Sequence, residues 1–224
     1  MEASRARIYL LFIPLWLLLL PSIATGQSAA SAALPDQQLW EFGAWGAEAV
    51  GAEIGQHFGD TQITMAGFHV GRVFHRRTAE GVAGQTLEYT LELQPLFLVT
   101  NVREAYGGGF APIGLKWNFV PRGRYHPYVE FNGGAMFTQK DVPPVNTSTF
   151  NFTAALGPGV MIRVRRNQAL SLALRWFHLS NAGLGYNNPS FNTVQLVVGY
   201  HWLTFRHGSR GPISNAGRGT QAKE

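Results

Sequence analysis

His178 and Ser180 stand two residues apart near the end of an apolar alternating run, RWFHLSNAGLG over residues 175–185. On an extended strand such residues share one face, so an imidazole and a hydroxyl become neighbours. A serine hydroxyl turns nucleophilic when an imidazole removes its proton, provided a third group fixes the imidazole's tautomer. The chemistry this predicts is acyl transfer, with Ser180 as nucleophile and His178 as base, and it needs neither metal nor cofactor. Loop amides or the side chain of Asn181 could stabilise the oxyanion, since donors must be aimed where charge develops. The competing interpretation is an interfacial histidine beside an ordinary loop serine, because His-x-Ser is common by chance.

The elements that must hold this pair are strands. Leu170, Leu172, Leu174, Trp176, His178 and Ser180 share one parity, while Ser171, Ala173, Arg175, Phe177 and Leu179 share the other. The next run offers Asn192, Val194, Leu196, Val198, Tyr200 and Trp202 as its apolar parity. Pairing His178 with Asn192 sets Trp176 against Val194 and Leu174 against Leu196, apolar against apolar. Opposed residues lie about 4.5–5.5 Å apart at Cβ, so this register brings a serine, a histidine and an amide within mutual reach.

The same period of two recurs along most of the chain. Leu87, Tyr89, Leu91 and Leu93 alternate with Glu88, Thr90, Glu92 and Gln94; Ile113, Leu115, Trp117 and Phe119 alternate with Gly114, Lys116 and Asn118. Eight strands are expected, at residues 38–45, 62–75, 86–99, 110–119, 125–137, 150–163, 169–180 and 191–202. Most have the length of tilted strands crossing a bilayer. An even count, with aromatic residues such as Trp40, Phe137, Trp176 and Trp202 at strand ends, predicts an all-β chain: an eight-stranded antiparallel outer-membrane β-barrel. Closure is required because an open edge would leave backbone groups unpaired in hydrocarbon. Short turns at 120–123 and 164–167 against long segments at 46–61, 138–149 and 181–190 place both chain ends on the periplasmic side. The 76–85 connection is longer than this pattern wants, and a bulge is expected near Gly71, where Val73 slips parity with Phe68 and Val70. A soluble lipocalin-like barrel shows the same periodicity with the faces reversed. The charges favour the membrane form: Glu88, Glu92, Lys116 and Glu130 fall on the polar parity with Asn132, Asn151 and Thr153, a set suited to a barrel interior.

The ends of the chain agree with export. Arg5 and Arg7 precede the apolar run IYLLFIPLWLLLL, which is short for a bilayer span and is followed by Pro21 and small residues, so residues 1–26 are expected to be a signal peptide rather than a retained anchor. An N-terminal periplasmic segment is expected at 27–37, the barrel at 38–202 and a polar tail at 203–224. Composition fits one β domain: 46% hydrophobic and 14% charged residues, with 26 glycines. There are no cysteines, so disulfides and thiolate metal sites are excluded. The net charge of +5 resides largely in the leader and tail and is no nucleic-acid footprint. Gly107-Gly108-Gly109 lacks a following helix and is not a phosphate loop, and the histidines other than His178 show no paired metal spacing.

His178-Leu179-Ser180-Asn181-Ala182, on the penultimate strand of an expected eight-stranded barrel, resembles the PagL-type lipid A 3-O-deacylases, the acyloxyacyl hydrolase family. The likeness is sharp over residues 175–202 and architectural elsewhere. It implies an outer-membrane esterase of a Gram-negative bacterium that removes the 3-linked acyl chain of lipid A with a lipid-facing Ser-His-Glu triad at the outer-leaflet rim. Ser180 matches its nucleophile, His178 its base, and Asn181 with the backbone of Ala182 and Gly183 its oxyanion region. Lipid A or lipopolysaccharide is then the substrate, no cofactor is required, and a homodimer is left open. The family's acidic residue falls at Asn192, a departure that predicts reduced or differently tuned activity. A barrel that kept the fold and lost the chemistry, with an adhesion or envelope-structural role, is the alternative.

Overall fold

The computed structural model describes residues 37–50, 61–79, 82–100, 104–143 and 147–206. The expected leader and most of the tail lie outside these residues. The alternating runs form β1 (Gln37–Val50), β2 (Gln62–Ala79), β3 (Val82–Thr100), β4 (Ala105–Asn118), β5 (Tyr125–Thr138), β6 (Phe150–Arg165), β7 (Gln168–Ser180) and β8 (Phe191–Arg206). Each strand pairs antiparallel with its neighbour in sequence and β8 pairs with β1, closing the barrel.

Several strands run further than their apolar alternation. β2 and β3 continue until Ala79 faces Val82, so the long 76–85 connection expected from sequence is replaced by strand. The β2 part of this extension begins Arg76-Arg77-Thr78, a polar stretch with no apolar parity to mark it as strand. β8 likewise reaches Arg206, four residues into the expected polar tail. The bulge expected at Gly71 sits instead at Phe74, between the pairs Val73↔Glu88 and His75↔Leu87, and a second one lies on β3, where Gln94 and Pro95 together face Gly67. Val73 therefore keeps the inward parity of Gly71, and Phe74 is the residue turned outward.

The apolar parity faces out. Leu91, Leu93, Ile113, Leu115, Leu174 and Leu196 are all exposed, a surface that is stable against hydrocarbon and not against water. The opposite parity fills the bore. Lys116 Nζ donates to Glu41 Oε1 at 2.7 Å, and Arg175 Nη2 donates to Glu130 Oε1 at 2.6 Å and to Glu92 Oε1 at 3.3 Å. Toward the ends of the strands that carry the long connections the interior becomes apolar, with Ile63, Met65, Phe97, Val99, Phe177 and Leu179 buried. The interior is thus polar over only part of its height, less uniformly than the charge pattern implied. Gly114 is where crowding requires a glycine: a Cβ there would run into Thr90 Oγ1 and Asn132 Oδ1.

The Lys116–Glu41 pair is wholly buried. Replacing Lys116 with Met should therefore destabilise the barrel by about 3–5 kcal/mol, because it leaves a carboxylate buried without its cation. Urea unfolding in detergent measures this, and the double variant Lys116→Met/Glu41→Leu should recover most of the loss. A single variant as stable as the parent would contradict this account of the pair.

Candidate active site

β7 ends at Ser180, at the end of the barrel where the long connections lie. Its inward residues Phe177 and Leu179 are buried in the apolar interior layer, which locks the strand end that presents His178 and Ser180 on the opposite face. The register expected from sequence is the one formed: His178↔Asn192, Trp176↔Val194 and Leu174↔Leu196. On the other side, Ser180 faces Phe152 and His178 faces Ala154 of β6.

The three polar side chains meet. His178 Nδ1 lies 2.9 Å from Asn192 Oδ1, and His178 Nε2 lies 3.1 Å from Ser180 Oγ. An amide oxygen only accepts, so Nδ1 carries the proton and Nε2 presents its lone pair to the serine hydroxyl. That is the tautomer a general base requires. The ring of Trp176 stacks beside the imidazole, with centroids 5.6 Å apart and planes 25° apart.

The loop after β7 is tied together by Asn181. Its backbone N–H donates to Asn188 Oδ1 at 3.1 Å, its Nδ2 donates to the Asn187 carbonyl at 2.8 Å, and its Oδ1 accepts the Gly183 N–H at 2.9 Å. Leu184 N–H returns to the Asn181 carbonyl at 3.0 Å. Ala182 and Gly183 both have positive φ, 53° and 82°, which is the pattern of a type I′ turn. A non-glycine at Ala182 in this region costs on the order of 1–2 kcal/mol, held by the surrounding bonds. The Asn181 side chain, expected as a free donor, is therefore spent on loop structure, and the Gly183 N–H is spent with it. The Ala182 N–H has no hydrogen-bond partner among the described residues. Asn188, which fixes the Asn181 amide, carried no signal in the sequence because its role depends on how the loop folds back.

A second cluster lies in the bore. Glu41, His69 and His201 bring potential ligand atoms within 4.8 Å of one another. Sequence spacing did not reveal them because barrel closure assembles them: His69 and His201 sit on either side of Gly43, one on each neighbouring strand. His201 Nδ1 lies 2.9 Å and His69 Nε2 3.3 Å from Glu41 Oε1, and His201 Nε2 lies 2.8 Å from Ser171 Oγ. The Lys116 ammonium already sits 2.7 Å from that carboxylate oxygen, so the cluster has its cation and is a lumenal ion-pair network.

The model of the family described as lipid A 3-O-deacylase (PagL) matches residues 73–201, more than half of the chain. Among solved structures, the chain is similar to a crystal structure of the outer membrane enzyme PagL, with 17% identity over 71% of this chain and 97% of that one and a TM-score of 0.47. It is also similar to a crystal structure of Neisserial surface protein A, at 11% identity over 74% and 97% of the two chains and a TM-score of 0.46. A third likeness is to the solid-state NMR structure of the outer membrane protein AlkL in DMPC bilayers, at 12% identity over 84% and 100% and a TM-score of 0.37. No curated protein matches the sequence. The homodimer gains no support from these matches.

Proposed function

Because the chain belongs to the lipid A 3-O-deacylase (PagL) family, we propose that it is an outer-membrane esterase that removes the 3-O-linked acyl chain of lipid A by a serine-histidine mechanism. The observation that carries this reading is the chain of contacts from Asn192 through His178 to Ser180 on the lipid-facing side of β7. Ser180 Oγ attacks the ester carbonyl carbon while His178 Nε2 takes its proton. The tetrahedral adduct collapses with cleavage of the bond to the sugar oxygen, which leaves with that proton as a hydroxyl. Water, deprotonated by the same nitrogen, then releases the fatty acid and regenerates Ser180. The Ala182 N–H is the oxyanion donor in this scheme, and Asn181 positions it through the loop bonds. Hydroxyl and imidazole carry every proton transfer and the amides only make hydrogen bonds, so the scheme calls for no cofactor.

A lipid substrate explains the orientation of the pair. An ester in the outer leaflet meets the barrel wall from the side, at the rim where β7 ends. The leader expected at residues 1–26 would deliver the chain across the inner membrane.

Mass spectrometry of lipid A from cells expressing the protein and its Ser180→Ala variant tests this reading. Loss of one ester-linked acyl chain in the first and its retention in the second is the expected result. Identical acylation, with both barrels folded, would sink it and leave the structural role, as would failure of a serine-reactive probe to label Ser180.

The loop makes a separate expectation. A Cβ on Gly185 would run into the Thr147 carbonyl oxygen and lie 2.6 Å from Asn181 Nδ2. Gly185→Ala should therefore displace the loop and lower kcat by about ten- to a hundredfold, the scale of a misplacement near 1 Å. Thermal stability should stay near that of the parent, since Gly185 lies outside the strands. Unchanged kcat would show that this loop does not set the site's geometry.

A further inference from the structure

The proton relay creates an imidazolium whose charge no carboxylate among the described residues of β6, β7 or β8 can balance. Between Asp141 and Glu224 the chain contains no aspartate or glutamate, so β6, β7, β8 and the loops joining them carry none. The groups opposite His178 are Asn192 on β8 and Ala154 on β6, both uncharged. Glu48 of β1 lies on the outer parity, but it pairs with Leu196 and accepts a hydrogen bond from Thr64 Oγ1 at 2.7 Å, well down the wall from the His178–Asn192 pair. The carbonyl of Asn192 can fix the imidazole's tautomer and still leave its developing charge largely unanswered.

We propose that Trp176 supplies what Asn192 cannot, because the face of its indole, stacked on His178, stabilises the imidazolium that forms when Ser180 is deprotonated. This rests on the serine-histidine reading above. The ring lies at 5.6 Å with planes 25° apart, inside the range in which a cation is attracted to an aromatic quadrupole, and tryptophan is the strongest aromatic partner for a cation. The contact is built in by the strand, since residues 176 and 178 share the outward face of β7. It also lies on the lipid-facing wall, where solvent screens it less than at a site facing bulk water on all sides. Two residues thus divide what one carboxylate does elsewhere: Asn192 orients the ring and Trp176 favours its charged form. Trp176 is accordingly a positioning residue acting through His178, and its effect belongs to the step in which charge appears rather than to substrate binding.

The test measures kcat and KM for release of fatty acid from lipid A in detergent micelles. Trp176→Leu keeps an apolar side chain against Leu156 and Val194, its partners on either side, so the barrel should fold and shift on heating as the parent does. The expected result is a kcat lower by about tenfold with KM within about twofold, and a Trp176→Phe variant that recovers most of the rate. In an Asn192→Glu background, where a carboxylate meets the charge, the same Trp176→Leu change should cost no more than about twofold. Equal losses in the two backgrounds, a loss confined to KM, or Phe and Leu variants of equal rate would overturn the proposal. A Ser180→Ala protein assayed alongside separates the two levels: if it is inactive and the Trp176 variants match the parent, only this inference falls; if it is active, both fall.

Discussion

Ser180→Ala is expected to lower the rate of lipid A deacylation by about a thousandfold or more while leaving the barrel folded. Removing the nucleophile of a serine-histidine unit disables the whole unit, and in a strong serine protease the loss reaches about 10⁶. The smaller figure here follows from the third member. Asn192 supports His178 without charge, so the unit contributes less to begin with and less can be lost. Ser180 accounts for little stability, because it is half-buried at the last position of β7 and, among the described residues, its hydroxyl bonds only to His178. The relevant comparison is fatty acid released per barrel in the same detergent, with folding verified by heat-modifiable migration. A variant within tenfold of the parent would place the chemistry elsewhere.

Asn192→Glu carries the second large effect, in the opposite direction. In a serine triad, exchanging the carboxylate for an amide costs on the order of 10⁴ in turnover, so restoring one has comparable room to act. The gain should be smaller, about a hundredfold, for two reasons. A carboxylate at a half-buried, lipid-facing position is poorly solvated before the reaction begins. The glutamate is also one methylene longer than the asparagine whose oxygen now lies 2.9 Å from Nδ1, so it must fold back to reach it. Asn192→Asp keeps the present reach and should rise as well. An unchanged rate in both variants would remove Asn192 from the groups that orient His178.

How far the sequence could be read depended on what each residue faces. The pairing of His178 with Asn192 was legible because lipid forces one parity of β7 and β8 to be apolar, and a slip of one residue would turn every side chain over. Beyond the lipid that constraint vanishes. Arg76 and Arg77 extend β2 without apolar alternation, and at the end of β8 Leu203 and Phe205 still alternate with Thr204 but on the inward parity, so the lipid-facing pattern breaks off there. The β2 bulge was misplaced for a related reason, since a bulge shifts parity at a point that neither flanking run marks. Asn181 looked like a free donor because nothing local shows that Asn187 and Gly183 claim both ends of its amide. Glu41, His69 and His201 lie far apart in the chain, and only the meeting of β1 with both β2 and β8 brings them together.

The filled bore has a consequence for the membrane around it. Lys116 bridged to Glu41, Arg175 bridged to Glu92 and Glu130, and the layer of Phe97, Phe177 and Ile63 leave side chains where a porin holds water. The barrel is therefore expected to insulate rather than conduct. Single-channel recording in a planar bilayer should show no ion current, and an outer membrane rich in copies should keep its permeability barrier.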